Sequence, residues 1–80
     1  MTRTGDIERH EPFPGDYQRA ARITARRVEL GLSISQLAER SCIAAMTLYE
    51  LEQAAPIRIS AVGALARALD VEMTWLLTGE

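Results

Sequence analysis

From residue 16 onward, apolar residues recur every three or four positions in five blocks, and short breaks separate these blocks. Such spacing places the apolar side chains of a block on one face of an α-helix. No stretch alternates apolar and polar residues for long enough to predict a β-strand. The chain is therefore predicted to be all-α, with helices at about residues 16–30, 33–40, 44–53, 59–69 and 72–78. The side chains predicted to face inward are Ala20, Ile23, Arg27, Val28, Leu30, Leu37, Ala38, Thr47, Leu48, Leu51, Ile59, Val62, Leu65, Ala66, Leu69, Met73, Trp75, Leu76 and Leu77.

Capping residues mark the ends of these predicted helices. Asp16 is a favourable N-cap for the first helix, and Gly31 tolerates the left-handed turn that closes it. Ser33 and Gln36 are three residues apart and predict a capping box at the start of the second helix. Pro56 stops the third helix, and the fifth is closed by Gly79.

The first fifteen residues have a different composition from the rest. They contain two Gly, two Pro, several charges and only two large apolar side chains, Ile7 and Phe13. Such a segment cannot bury enough apolar surface to order itself. Residues 1–15 are predicted to be a flexible arm, and residues 16–80 a single domain.

Charge gives only weak support for binding to a polyanion. The nine basic residues are all Arg and are outnumbered by eleven acids, for a formal net charge of −2. A positive field over the whole protein is thus missing, and attraction to phosphate is predicted to come from a local cluster of Arg. Arg19, Arg22 and Arg26 recur at helical spacing on the first helix and are predicted to form a solvated face.

The chain lacks the residue sets of several other classes of protein. Cys42 is the single cysteine and His10 the single histidine, so a disulfide and a structural zinc site are not expected, and Cys42 is predicted to be a packed, unreactive thiol. No nucleophile has an evident base and no Gly-rich loop could hold phosphate, so neither an enzyme nor a cofactor is expected. No apolar run approaches the roughly 20 residues of a membrane span. A cytoplasmic protein is predicted.

Five sequence blocks, in this order and with short links, resemble one family. They are Arg26-Arg27-Val28-Glu29-Leu30-Gly31-Leu32-Ser33, Gln36-Leu37-Ala38-Glu39-Arg40, Thr47-Leu48-Tyr49-Glu50-Leu51-Glu52, Leu65-Ala66-Arg67-Ala68-Leu69-Asp70-Val71 and Trp75-Leu76-Leu77-Thr78-Gly79. The chain is similar to the phage repressor and Cro type of helix-turn-helix protein, also called XRE-like. The resemblance covers residues 16–79 and implies a five-helix, lambda-repressor-like DNA-binding domain.

The resemblance also implies a DNA-binding surface on the second and third helices, with the third helix in the major groove. The positions that would face the bases are Ala44, Ala45, Met46, Tyr49 and Glu50. Those that would face the DNA backbone are Ser33, Ile34, Thr47 and Arg58. Four positions depart from the family pattern: Ile34 replaces a common Gln, Cys42 replaces a turn Gly, and Ala44 and Ala45 replace longer polar residues.

Two further pairs follow from the resemblance alone. Arg27 and Glu52 occupy the positions of a structural ion pair between the first and third helices. Val71 and Met73 occupy the positions of a homodimer contact, near the end of the fourth helix and the start of the fifth.

Two functions remain open at this point. The first is a sequence-specific transcriptional regulator, a homodimeric repressor from a phage, plasmid or other mobile element, which binds a two-fold symmetric double-stranded DNA operator. The second is a repressor-like module that binds a protein partner instead, as an antirepressor or antitoxin does. Met46 and Tyr49 fit either function, because the pair can face a DNA groove or form an apolar patch for another protein.

Overall fold

The computed structural model describes residues 13–80, and this part of the chain folds into five α-helices without a strand. The helices are α1 (Pro14–Glu29), α2 (Ile34–Ser41), α3 (Ala45–Glu52), α4 (Ile59–Leu69) and α5 (Met73–Thr78). This architecture confirms the predicted all-α fold. Of the predicted flexible arm, residues 1–12 lie outside the described residues. No helix within residues 13–80 is both long and apolar enough to cross a membrane.

Helix α1 begins two residues before the predicted start. Phe13 is its N-cap and Pro14 its first residue, where the fixed φ of proline suits a helix and no amide hydrogen is lost. Asp16, predicted to be the N-cap, instead lies in the first turn and accepts a hydrogen bond from the Phe13 amide at 3.0 Å. The Asp16 carboxylate therefore satisfies an amide at the start of the helix, although Asp16 is itself a residue of the helix and not its N-cap.

Helix α2 begins with the predicted capping box. Ser33 Oγ accepts from the Gln36 amide at 3.0 Å, and the Ser33 amide donates to Gln36 Oε1 at 2.8 Å. The helix ends at Cys42, whose φ of 61° lies in the left-handed region. A second left-handed residue, Ala54 with φ 74°, follows α3, and its amide donates to Leu51 O at 3.1 Å.

Every helix contributes a fully buried side chain to one core. These side chains are Ile23 of α1, Leu37 of α2, Leu48 of α3, Leu65 and Leu69 of α4, and Leu76 of α5. Helix α1 packs against α3, α4 and α5, while α2 packs against α3 and α4. The core therefore holds α2 and α3 in direct contact with each other.

Several side chains predicted to face inward are exposed. They are Val28, Thr47, Ile59, Met73 and Leu77. Val28 lies about 140° around the helix axis from Ile23, since each residue turns the helix by about 100°. Ile59 and Met73 are the first residues of their helices, so no preceding turn of the same helix covers them.

The prediction that Arg19, Arg22 and Arg26 form a solvated face is wrong. Arg19 donates to Ala55 O at 3.0 Å, Arg22 donates through Nε and Nη2 to Leu76 O at 3.1 and 3.0 Å, and Arg26 donates to Leu69 O at 2.9 Å. Carbonyl groups at the ends of helices lack partners within the helix and carry a partial negative charge. The guanidinium groups of α1 satisfy such carbonyl groups after α3, at the end of α4 and within α5.

Candidate nucleic-acid interface

Helix α3 presents one face to the core and the other to solvent. Leu48 and Leu51 are buried and fix the helix against its neighbours. The five positions that the resemblance assigns to the bases are all exposed: Ala44, Ala45, Met46, Tyr49 and Glu50. Met46 is 67% exposed and Tyr49 is 53% exposed. The outer face of α3 is thus a small surface of apolar and aromatic groups with one carboxylate.

The turn between α2 and α3 is held by Ser41, a residue whose role was not predicted. Its hydroxyl donates to Leu37 O at 2.7 Å and accepts from the Ile43 amide at 3.2 Å, and the residue is buried. One hydroxyl thereby joins the last turn of α2 to the segment before α3. A Ser at a helix end, between charged and apolar residues, is the only sequence signal of this role.

Cys42 lies in the same turn, and the prediction of a packed thiol is wrong. The residue is exposed, and it is the left-handed C-cap of α2. Left-handed backbone favours glycine, since the Cβ of other residues crowds the following carbonyl oxygen. This requirement explains why the family pattern has Gly at the position.

Arg27 and Glu52 form the ion pair that the resemblance implies. Arg27 Nε and Nη2 donate to the two carboxylate oxygens of Glu52 at 2.7 and 2.9 Å, and Nη1 donates to Leu32 O at 2.9 Å. The side chains are 16% and 6% exposed. The hydrogen bond and charge of Glu52 raise the pKa of Arg27, although burial opposes this change. Glu52 is therefore neutralised inside the protein and fixes the end of α3 to α1.

The positions assigned to the DNA backbone differ in what they can donate. Ser33, Thr47 and Arg58 are exposed. Ser33 Oγ accepts a bond from Gln36, and a hydroxyl that accepts keeps its own hydrogen for donation. Ile34 is half-buried and packs against the core, so its side chain offers no donor to a phosphate.

The basic residues of α1 are engaged within the domain. Arg19, Arg22, Arg26 and Arg27 all bind carbonyl or carboxylate oxygens within the domain. Arg58, the N-cap of α4, is the basic residue among the positions assigned to DNA, and Glu50 is the acid among them. The local Arg cluster expected from the sequence is therefore absent from these assigned positions.

Val71 and Met73, the positions assigned to a dimer contact, lie where α4 gives way to α5. Val71 is half-buried against the core, whereas Met73 is exposed. The Met73 side chain lies against α4 at Gly63. A Cβ added to Gly63 would be 3.7 Å from the Met73 sulfur. Leu77, one turn after Met73, is also exposed. Exposed apolar side chains therefore continue along this side of α5.

The sequence pattern of the helix-turn-helix family matches residues 23–76, from the buried Ile23 of α1 to the buried Leu76 of α5. The match spans the whole of α2, α3 and α4 and parts of α1 and α5, and the chain belongs to this family, of the XRE type. Membership makes it a DNA-binding transcription regulator. No curated protein matches the chain significantly.

Proposed function

We propose that this regulator is a sequence-specific repressor that inserts α3 into the major groove of a two-fold symmetric operator as a homodimer. The observation that carries the proposal is the division of α3 into two faces. Leu48 and Leu51 are buried, while Met46, Tyr49 and Glu50 are exposed together on the other side. In this proposal, residues 16–80 form the DNA-binding unit together with Pro14 and Gly15, the first two residues of α1, and the residues before α1 form an arm beside it.

The exposed face of α3 offers specific but few contacts to base edges. The Glu50 carboxylate accepts a hydrogen bond from a cytosine amino group, and the Ala45 and Met46 side chains contact thymine methyl groups. Ala44, the N-cap of α3, allows close approach to the bases because its side chain is a single methyl group. Tyr49 adds an aromatic ring and a hydroxyl that donates or accepts.

Contacts to the DNA backbone are supported by Ser33, Thr47 and Arg58. Both hydroxyl groups donate to phosphate oxygens, and Arg58 adds a positive charge. Neither α3 nor α4 has a side-chain hydrogen bond at its N-cap. The Ala61 amide of α4 donates to Arg58 O at 2.9 Å, and the other amides of the first turn of each helix are proposed to face a phosphate. Ile34 contributes apolar contact only.

The homodimer contact is supported by the exposed side chain of Met73 beside Val71. In a two-fold dimer, the same patch on both copies must be self-complementary. Two recognition helices in such a dimer lie one turn of DNA apart, roughly 34 Å. Replacing Met73 with Glu is expected to weaken dimer formation and binding to a full operator together.

Fluorescence anisotropy tests the proposal directly. The protein is titrated against a duplex from the region upstream of its own gene and against an unrelated duplex of equal length. We expect tighter binding to the first duplex. Tyr49→Ala is expected to weaken that binding by about tenfold, since one good base contact contributes about 1–3 kcal/mol. Equal binding to both duplexes would contradict the proposal.

Glu50 provides a sharper test of how α3 is placed. Glu50→Gln removes a charge that repels phosphate, so affinity for unrelated DNA is expected to rise several-fold while discrimination between the two duplexes falls. Glu39→Gln is the matched control, because Glu39 is also an exposed helical acid but lies on α2. Equal effects of the two substitutions would place Glu50 away from the groove.

A protein-binding adaptor is the second candidate, and the apolar face of α3 is the observation that favours it. Met46 and Tyr49 are large, exposed and adjacent on the helix, and α3 carries no basic residue. Such a pair is typical of an interaction hot spot. Absence of binding to either duplex, together with a partner whose binding is lost in Tyr49→Ala, would support this function instead.

A further inference from the structure

The segment of residues 53–58, which we call the α3–α4 loop, connects the recognition helix to Arg58. It begins with Gln53, the C-cap of α3, and ends with Arg58, the N-cap of α4. Ala54, its second residue, has a φ of 74° in the left-handed region, which is unfavourable for a residue with a Cβ. Such a conformation persists only where the surrounding structure holds it. The contacts of the loop with the rest of the domain therefore determine where Arg58 lies.

Arg19 of α1 holds this loop at one carbonyl group. Its Nη2 atom donates to Ala55 O at 3.0 Å and to Asp16 Oδ1 at 2.8 Å. Asp16 Oδ2 accepts from the Phe13 amide at 3.0 Å, so the carboxylate is fixed at the start of α1. The side chains of Arg19 and Asp16 are 9% and 12% exposed. A chain of hydrogen bonds therefore connects the first turn of α1 to the α3–α4 loop.

The buried pair of Arg19 and Asp16 is only partly satisfied. Arg19 Nε is buried and has no hydrogen-bond partner within residues 13–80. A buried ion pair is often no more stabilising than apolar side chains of the same size, although it can fix one arrangement of the chain. Without Arg19, Ala55 O would lose its partner, and a carbonyl group without a protein partner is favoured where water reaches it. Loss of Arg19 is therefore expected to release the loop toward solvent.

Two residues separate the held carbonyl group from Arg58. They are Pro56, whose ring fixes φ, and Ile57, which is half-buried against the core. Few backbone bonds can rotate between Ala55 and Arg58, so a displacement of Ala55 also displaces Arg58. The other end of the loop is fixed independently, because the ion pair of Glu52 holds the last residue of α3. Arg58 therefore depends on Arg19 more than α3 does.

We propose that Asp16 and Arg19 are positioning residues for DNA binding, because they fix the α3–α4 loop so that Arg58 lies against the phosphate backbone. This inference rests on the proposed function, which assigns Arg58 to phosphate. Arg19 itself does not contact DNA, since its guanidinium group is buried in the domain. Its loss acts through Arg58, so the effects of removing Arg19 and removing Arg58 are expected not to add.

The salt dependence of DNA affinity tests this role, because a residue that only stabilises the fold does not change the number of phosphate contacts. The affinity of the full chain for the two duplexes described above is measured by fluorescence anisotropy at several salt concentrations. Arg19→Met and Arg58→Gln are each expected to reduce the slope of log affinity against log salt concentration by about one for each bound copy. Adding Arg58→Gln to Arg19→Met is expected to cause no further reduction.

Arg22→Met is the matched control. It also removes one positive charge and the bonds of a guanidinium group to a backbone carbonyl group, but this group, Leu76 O, lies in α5. Its slope is expected to equal that of wild type, at a temperature where circular dichroism shows every variant to be folded. A wild-type slope in Arg19→Met, an equal reduction in Arg22→Met, or a further reduction on adding Arg58→Gln would each overturn the proposal.

Amide hydrogen exchange separates a failure of this inference from a failure of the proposed function, because it needs no DNA. The Ala54 amide donates to Leu51 O and the Ala55 amide to Glu50 O. Exchange at both amides is expected to be at least tenfold faster in Arg19→Met than in Arg22→Met. If the wild type binds neither duplex, the proposed function fails, while faster exchange still supports the hold of Arg19 on the loop. Equal exchange in the two variants would overturn that hold, whatever the result with DNA.

Discussion

Arg26 donates its Nε hydrogen to the carbonyl oxygen of Leu69, the last residue of α4, at 2.9 Å. Arg22 makes the corresponding bonds to Leu76 O in α5. Both guanidinium groups therefore hold α1 against the C-terminal helices, and the apolar core holds these helices together as well.

The first prediction concerns these two arginines. Arg22→Met and Arg26→Met keep most of the aliphatic chain but remove the donors, so each is expected to lower the free energy of unfolding by about 1.5–3 kcal/mol. Arg67→Met is the matched control, since Arg67 is exposed on α4, and its effect is expected to stay within about 0.5 kcal/mol. Urea unfolding measures all three. Equal losses in all three variants would show that the bonds to Leu69 and Leu76 contribute little.

The ion pair between Arg27 and Glu52 gives the second prediction. Glu52→Gln leaves Arg27 largely buried without its counter-charge, so a loss of about 3–5 kcal/mol is expected. A double-mutant cycle with Arg27→Met separates the interaction from the loss of packing. Additive effects of the two substitutions would contradict a direct stabilising pair.

The third prediction is the pH dependence of this pair. Glu52 raises the pKa of Arg27 in the folded protein above its unfolded value. A raised pKa contributes stability that is fully present below the unfolded pKa and is lost only as the pH rises through the folded pKa. The contribution of Arg27 is therefore expected to stay constant from neutral pH to about pH 10, because arginine remains protonated throughout this range. The check is the difference in unfolding free energy between wild type and Arg27→Met at several pH values, and a decline across this range would contradict the prediction.

The left-handed turn at Cys42 gives the fourth prediction. Cys42→Gly removes the crowding of Cβ at a φ of 61° and is expected to stabilise the protein by about 0.5–1 kcal/mol. Cys42→Ala retains the Cβ and removes the exposed thiol, so its stability is expected to match wild type. Thermal unfolding of the three proteins decides this, and a gain for Ala equal to that for Gly would implicate the thiol instead of the backbone.

The fifth prediction concerns salt. The four arginines of α1 bind within the domain, which leaves Arg40, Arg58 and Arg67 as the exposed arginines of residues 13–80, so the dependence of DNA affinity on salt is expected to be shallow for this kind of regulator. Arg58→Gln is expected to reduce the slope of log DNA affinity against log salt concentration by about one for each bound copy. Arg67→Gln is the control and is expected to leave the slope unchanged, and equal changes would place Arg58 away from the phosphates.

The sequence predicts the helices well because their ends depend on local signals. The capping box of Ser33 and Gln36 fixes the start of α2 from four residues, and Gly79 marks the end of α5. The start of α1 was harder to predict, because its N-cap Phe13 has no capping oxygen and the remaining signal is Pro14.

The arginines show what spacing cannot predict. Arg19, Arg22 and Arg26 at helical spacing fit a solvated face as well as a face directed at carbonyl groups. The acceptors are backbone oxygens, which every residue has, so no side-chain pattern marks them. The exposed positions on α3 are easier to predict, because the buried Leu48 and Leu51 determine which side faces outward. The groups that these positions contact on DNA or protein are set by the partner and are not marked by a pattern in this sequence.

The bonds from α1 also impose an order on the folding of a nascent chain. The carbonyl groups that Arg19, Arg26 and Arg22 bind lie 36, 43 and 54 residues later in the sequence. At about 5–20 residues per second, a ribosome adds the last of them roughly 3–11 seconds after Arg22. The partners of Arg19 and Arg26 are added earlier, so Arg22 is the last of these guanidinium groups to gain its acceptor, and the contact of α1 with α5 forms last.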